Sequence, residues 1–143
     1  EVADTQKVDS SELGYDTWIV PFEAGKIEAV AENVHHVLET VNASVQIQLE
    51  EAGCEDIVQL ELTVLDDMGR RVISDQSEIC VTIEGDCEYL GMDNGDAADV
   101  TEYRSHYRHC LEGKMMIYLR KLSDEKVKVT ASNPKLRKAQ IEV

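Results

Sequence analysis

The chain has 143 residues, enough for one domain or for one small domain with part of another. Its 14 basic and 29 acidic side chains leave a formal charge of −15, and so acidic a surface repels phosphate backbones, which argues against nucleic-acid binding. Hydrophobic residues make up 43%, so a core can be buried, but no apolar run approaches the ~20 residues of a membrane helix. The chain opens on Glu1 rather than Met and carries no signal-peptide pattern, which reads as a piece cut from a longer protein.

Residues 1–14 are polar and aperiodic, as a frayed lead-in would be. From Tyr15 to Phe22 the pattern alternates, with Trp18, Val20 and Phe22 on one face, and Pro21 suits an edge or a strand end. Glu23 to Lys26 reads as a turn, and Ile27, Ala29 and Ala31 as the second arm of a hairpin. Ala31 to Thr40 is ambiguous. Val34, Val37, Leu38 and Val41 fit helical spacing, while Asn33 suits a hairpin turn followed by a strand over 37–41. The strand is favoured, because an isolated helix of that length is marginal.

Beyond Asn42 the period of two is clear. Val45, Ile47 and Leu49 alternate with polar residues, as do Val58, Leu60, Leu62 and Val64 after a loop over 51–56. Asp66 to Gly69 is a turn. Ile79, Val81 and Ile83 follow, then Met115, Ile117 and Leu119, then Val127, Val129 and Ala131, and Ala139, Ile141 and Val143 close the chain. Roughly seven short strands with turns every ~8–12 residues predict an all-β fold, an immunoglobulin-like antiparallel β-sandwich. One-sided alternation favours antiparallel over parallel strands. Gly85 to Lys114 stands apart as a long irregular segment. Gly85, Gly91 and Gly95 lie among acids and amides, and Asp93-Asn94-Gly95-Asp96 reads as a tight turn opening a crossing loop.

Several constellations invite chemistry and are better explained structurally. Asp93, Asn94 and Asp96 offer oxygen ligands, but the full calcium-loop spacing is missing. His106, His109 and Cys110 are too few for zinc, and Cys54, Cys80, Cys87 and Cys110 show no CxxC spacing, so no metal is assigned and free thiols are expected. No nucleophile elbow, catalytic triad order, phosphate loop or dinucleotide fingerprint is present, and no cofactor is implied. Trp18, Tyr89, Tyr103 and Tyr107 are candidate sugar-stacking or interface aromatics, with core packing as the plainer reading of Trp18.

The run Gly85-Asp-Cys-Glu-Tyr-Leu-Gly-Met-Asp-Asn-Gly-Asp96, followed by Tyr103, Arg108, Cys110-Leu111 and Gly113-Lys114, resembles the C-terminal immunoglobulin-like domain of bacterial glycoside hydrolase family 2 enzymes of the β-galactosidase type. The family pattern there runs roughly Gly-x-Gly-x-Leu-Leu-Gly-x-Asp-Asn-Gly-Asp, then an aromatic, an Arg-rich turn, Phe-Asn-Gly-Lys and a strand. Cys87 stands where the family often has Gly, and Ala97 where it often has Pro. Upstream, Trp18-Ile-Val-Pro-Phe-Glu-Ala-Gly25-Lys-Ile-Glu-Ala-Val-Ala31 is similar to the end of the preceding β-sandwich in the same enzymes.

The resemblance implies residues 1–43 as the end of a truncated neighbouring sandwich contributing an extra hairpin, and 44–143 as the immunoglobulin-like domain. Gly85, Gly91, Asp93, Asn94, Gly95, Asp96, Gly113 and Lys114 would form its structural motif loop. The family's catalytic glutamates lie on a barrel of ~250 residues that this length cannot hold, so no catalytic residue carries over and the fragment is expected to be no enzyme. The parent would hydrolyse β-galactosides or related glycosides in a bacterium, in the cytoplasm or exported. Expected partners are the catalytic and other domains of the parent chain, carbohydrate as the alternative function of the module, and a second copy through residues 15–31, whose hairpin would have lost its partner strands. Neither nucleic acid nor membrane is expected.

Overall fold

A computed structural model describes residues 19, 21, 24–31, 33–53 and 57–143. Trp18, most of the arm over 15–22 and Cys54 lie outside the described residues. The chain divides into two compact units, 1–40 and 41–143.

In the first unit β1 (Lys26–Ala31) and β2 (Val34–Glu39) form an antiparallel hairpin, with Ile27 opposite Leu38 and Ala31 opposite Val34. The strand expected over 37–41 thus runs over Val34–Glu39 instead, while the arm expected over 15–22 lies outside the described residues apart from Ile19 and Pro21. The segment after Ala31 turns at once and runs back along β1, so Asn33 is a turn residue and the second strand starts at Val34. A hydrogen bond from Thr40 N to Gly25 O, 2.7 Å, ties the open end, and the Thr40 hydroxyl accepts from Gly25 N at 2.9 Å.

The second unit contains eight strands and, among the described residues, no helix: β3 (Gln46–Glu51), β4 (Val58–Leu65), β5 (Glu78–Glu84), β6 (Cys87–Asp93), β7 (Tyr107–His109), β8 (Lys114–Lys121), β9 (Lys128–Asn133) and β10 (Leu136–Glu142). Their order is β6-β8-β4-β3-β10-β9-β5-β7. Every pairing is antiparallel except the β3–β10 seam, a single parallel contact of Arg137 with Gln46. The seam divides the order into two antiparallel sets of four strands. Leu60, Leu62, Ile117, Leu119 and Met92 from one set cluster with Ile79, Val81, Val129 and Ala131 from the other, all fully buried or nearly so. Two sheets that share one core are a sandwich, as the alternation predicted.

The irregular segment is shorter than expected. Cys87–Asp93 is a full strand on β8, and Tyr107–His109 pairs with β5, leaving 94–106 as the crossing loop. The alternation of β6 is hidden because its register shifts between Tyr89 and Gly91, a β-bulge that sends side chains to unexpected faces.

The Asp66–Gly69 turn is built around one carboxylate. Asp66 is fully buried; its Oδ1 accepts from Met68 N (2.9 Å) and Arg70 N (2.8 Å), and its Oδ2 from Asn42 N (3.0 Å) and from Arg70 Nε (3.0 Å) and Nη2 (2.8 Å). Burial pushes its pKa up, but the N–H donors of Arg70, Asn42 and Met68 and the Arg70 guanidinium outweigh burial and hold it at about 2.

Candidate functional site

The loop over 94–106 begins as a chain of Asx turns. Asp93 Oδ1 accepts from Gly95 N (3.0 Å), Asn94 Oδ1 from Asp96 N (2.9 Å), Asp96 Oδ1 from Ala98 N (2.9 Å) and Asp99 Oδ1 from Thr101 N (2.8 Å). Each short side chain replaces a backbone partner, and Gly95 supplies the positive φ of 77°. Asp93, Asn94 and Asp96 thus spend oxygens on their own backbone, and no cluster of three metal-ligating side chains exists among the described residues.

Arg108 closes the loop from below. It is 4% exposed, and its Nη1 lies 2.5 Å from Asp99 Oδ2 while Nη2 donates to Thr101 O (3.0 Å) and Glu102 O (3.2 Å). Asn94 Nδ2 donates to Asp99 Oδ2 (2.9 Å) and to His109 O (3.0 Å), linking the loop's start to its end. Hydrogen bonds from the Thr101 side chain and backbone, then the Arg108 charge, overcome burial and hold Asp99 at about 2.

The remaining motif glycines serve close packing. Gly91 has φ of 141°, and a Cβ there would lie 2.3 Å from Tyr103 Cδ1 and 2.6 Å from Tyr103 O. Gly113 (φ 70°) would bring a Cβ to 2.4 Å from Val72 O, so the backbone itself excludes a side chain. Gly85 packs on Val127. Lys114, at the start of β8, reaches Glu61 Oε1 at 2.7 Å.

Trp18 lies outside the described residues, and the other three candidate aromatics do not assemble into one surface. Tyr89 turns inward; its hydroxyl donates to Ser105 O (2.7 Å), its ring stacks on His106 with centroids 4.5 Å apart, and burial pushes its pKa up to about 12. Tyr107 is exposed on β7, in the other sheet. Tyr103 lies over Gly91 and is stacked with Tyr118, centroids 6.4 Å apart and planes 17° off parallel. Alternation along β8 marks Tyr118 only as an outward position, and its pairing opposite Gly91, which brings it to Tyr103, leaves no local signal in the sequence.

Along β8, Met115, Ile117 and Leu119 are buried, so Lys114, Met116 and Tyr118 point outward. Met116 is flanked by Asp93 on β6 and Glu61 on β4, and Tyr118 by Gly91 and Gln59. A shallow depression of about 230 Å³ opens on this face, lined by Glu61, Asp93, Asn94, Lys114 and Met116 among others. Burial, with the neighbouring Tyr103 and Asp93, raises the pKa of Tyr118.

Residues 41–142 match the glycoside hydrolase family 2 C-terminal domain 5. The chain belongs to that family. No curated protein matches it in sequence. Among solved structures, a glycosyl hydrolase family 2 member from Bacteroides cellulosilyticus superposes with a TM-score of 0.81 at 23% identity, covering 88% of this chain and 19% of that one. A β-glycosidase from Bacteroides vulgatus gives 0.75 at 22% identity, covering 88% and 18%. A β-glucuronidase from glycoside hydrolase family 2 gives 0.76 at 19%, covering 87% and 14%. The chain therefore spans less than a fifth of these proteins, and at such identities the likeness is one of fold.

Proposed function

We propose that this family 2 C-terminal domain is the non-catalytic accessory end of a longer glycosidase whose substrate is a β-galactoside or a related β-glycoside. The observation that carries the reading is the family match over 41–142 joined to solved glycosidases several times longer than this chain. Three of its acidic side chains are committed to ion pairs: Asp66 to Arg70, Asp99 to Arg108 and Glu61 to Lys114. A carboxylate pinned by hydrogen bonds below its ordinary pKa is a poor proton donor, which suits a scaffold better than acid–base catalysis. The solved structures share 87–88% of the chain, more than unit 41–143 alone supplies, and this supports 1–43 as the end of a preceding module in the same parent.

The test is direct. The purified chain should give no turnover of nitrophenyl β-galactoside, β-glucoside or β-glucuronide, whereas the parent enzyme should cleave the β-galactoside fastest. Turnover by the chain alone, abolished by replacing one of its acids, overturns the accessory reading; a parent that prefers the glucuronide overturns the substrate assignment.

A further inference from the structure

We infer that the outward face of β6, β8 and β4 binds a neutral pyranose, seated on Tyr103 and Tyr118 and hydrogen-bonded at its edge by Asp93 and the Glu61–Lys114 pair.

The case starts from what holds Tyr103. Its ring lies on Gly91, where any Cβ would collide with it, and its carbonyl accepts from Met92 N at 3.0 Å. The two residues before it offer their carbonyls to Arg108, and the carbonyl of Ser105, two residues after it, is taken by Tyr89. Yet Tyr103 is itself 49% exposed. A buried arginine, a bulge and a glycine thus fix a ring that is left half in water. Pinning of this kind removes the rotamer entropy that a loose ring would lose on binding, which is the usual requirement of a recognition surface.

The second observation is what stands beside the ring. Tyr118 is stacked with it, planes 17° off parallel, so a second outward ring supports Tyr103 on this face. Along β8, Met116 lies about 7 Å further on. There the depression begins, with Asp93 on one side and the Glu61–Lys114 pair on the other. A pyranose has a flat C–H face and a rim of hydroxyls, each able to donate and to accept. The first fits a planar aromatic surface, and the second fits fixed carboxylate acceptors and an ammonium donor. The depression, about 230 Å³ and lined by Glu61, Asp93, Asn94, Lys114 and Met116 rather than by the tyrosines, is where the hydroxyl edge of such a ring would enter.

Charge selects within the class. Lys114 already faces Glu61, so the face offers an incoming anion an uncompensated Asp93 inside a chain of net charge −15. A uronate, which carries its own carboxylate, is repelled where a neutral hexose is not. The inference rests on this face and not on the substrate of the parent, so a catalytic assay of the parent leaves it untouched.

The experiment titrates the 143-residue chain with β-1,4-galactotetraose, cellotetraose and glucuronic acid, following 1H–15N NMR shifts and calorimetry. The expected result is saturable binding of at least one neutral oligosaccharide at millimolar affinity or better. Its shifts should be confined to Gly91–Asn94, Tyr103 and Lys114–Tyr118, with no response to glucuronic acid. Tyr118→Ala should weaken binding roughly three- to tenfold, Asp93→Asn should weaken it while the chain stays folded, and Tyr107→Ala on the other sheet should change nothing. Flat titrations with both neutral sugars, glucuronic acid binding as well as they do, or a Tyr103→Ala/Tyr118→Ala chain that binds unchanged would each overturn the inference.

Discussion

Arg108 is buried almost completely and meets Asp99 at 2.5 Å, so this charged pair under the crossing loop also orders the loop's backbone. The guanidinium satisfies two loop carbonyls beyond its carboxylate partner, and Asn94 binds the same carboxylate from the other side. Buried ion pairs give little net stability against an apolar substitute, but removing one partner strands the other and its dependants. Arg108→Leu should therefore cost about 3 kcal/mol or more in urea unfolding. It should also release Tyr103, seen as faster amide exchange over 99–105. A variant with wild-type stability and unchanged exchange would show that the pair does not hold the loop.

Gly91 supplies a second test. In Gly91→Ala the new methyl meets the Tyr103 ring and also the Tyr103 carbonyl, at a φ that L residues rarely adopt. The expected cost is about 2–3 kcal/mol, of which only part is regained in Gly91→Ala/Tyr103→Ala, because the carbonyl clash and the backbone strain remain. Full recovery in the double variant would place the whole effect in the ring contact, and no loss in the single variant would show that the bulge opens without penalty.

Asp66 makes stability depend on pH in a defined window. Its folded-state value of about 2 lies below the ordinary 3.8, so its contribution is present in full above pH 4. It is then lost progressively as pH falls from about 4 to 2, when the protonated carboxyl can no longer accept from Arg70, Met68 and Asn42 together. Asp99, also held at about 2, adds to the same limb. Asp66→Asn should lower the melting temperature at pH 7 by about 4 °C or more and flatten the acid limb between pH 4 and 2. The measurement is thermal unfolding by circular dichroism across that range. A variant whose acid limb parallels the wild type would assign the pH dependence elsewhere.

The sequence disclosed those elements whose alternation is undisturbed. Leu60, Leu62 and Val64, or Ile79 and Val81, bury one face and expose the other, and such strands can be read directly. Cys87–Asp93 was taken for loop because the bulge at Tyr89–Gly91 breaks the period and the glycine, acids and amide around it resemble turn chemistry. The second strand of the first unit was misplaced for a different reason. Val34, Val37, Leu38 and Val41 fit helical spacing as well as a strand, and only the turn at Asn33 sets the start of β2 at Val34. Of the candidate site, Tyr103 was visible as a residue but not as a surface. Stacking with Tyr118 depends on a glycine two strand positions from Asp93, and pairing across strands is long-range information that periodicity does not carry.

The hairpin of the first unit yields the last prediction. Ile27 and Leu38 face each other across β1 and β2 at 52% and 54% exposure, and Val34 is 68% exposed. A two-stranded hairpin with one open apolar face is marginally stable alone and tends to find a partner. We propose that this partner, in solutions of the isolated chain, is the same hairpin of a second copy, through residues 15–31 and the β2 strand beside them. Sedimentation velocity should then show concentration-dependent association. Ile27→Lys/Leu38→Lys should weaken it by about a hundredfold or more, since each buried side chain of this size contributes about 1.5–3 kcal/mol. Trp18→Ala should weaken it less. The choice of lysine separates two causes. Two added positive charges reduce a net charge of −15 and so lessen general repulsion between copies. Weaker association in spite of that reduction identifies apolar contact as the driving force, whereas association that strengthens, or a wild-type chain monomeric at every concentration, rules the hairpin out as the contact.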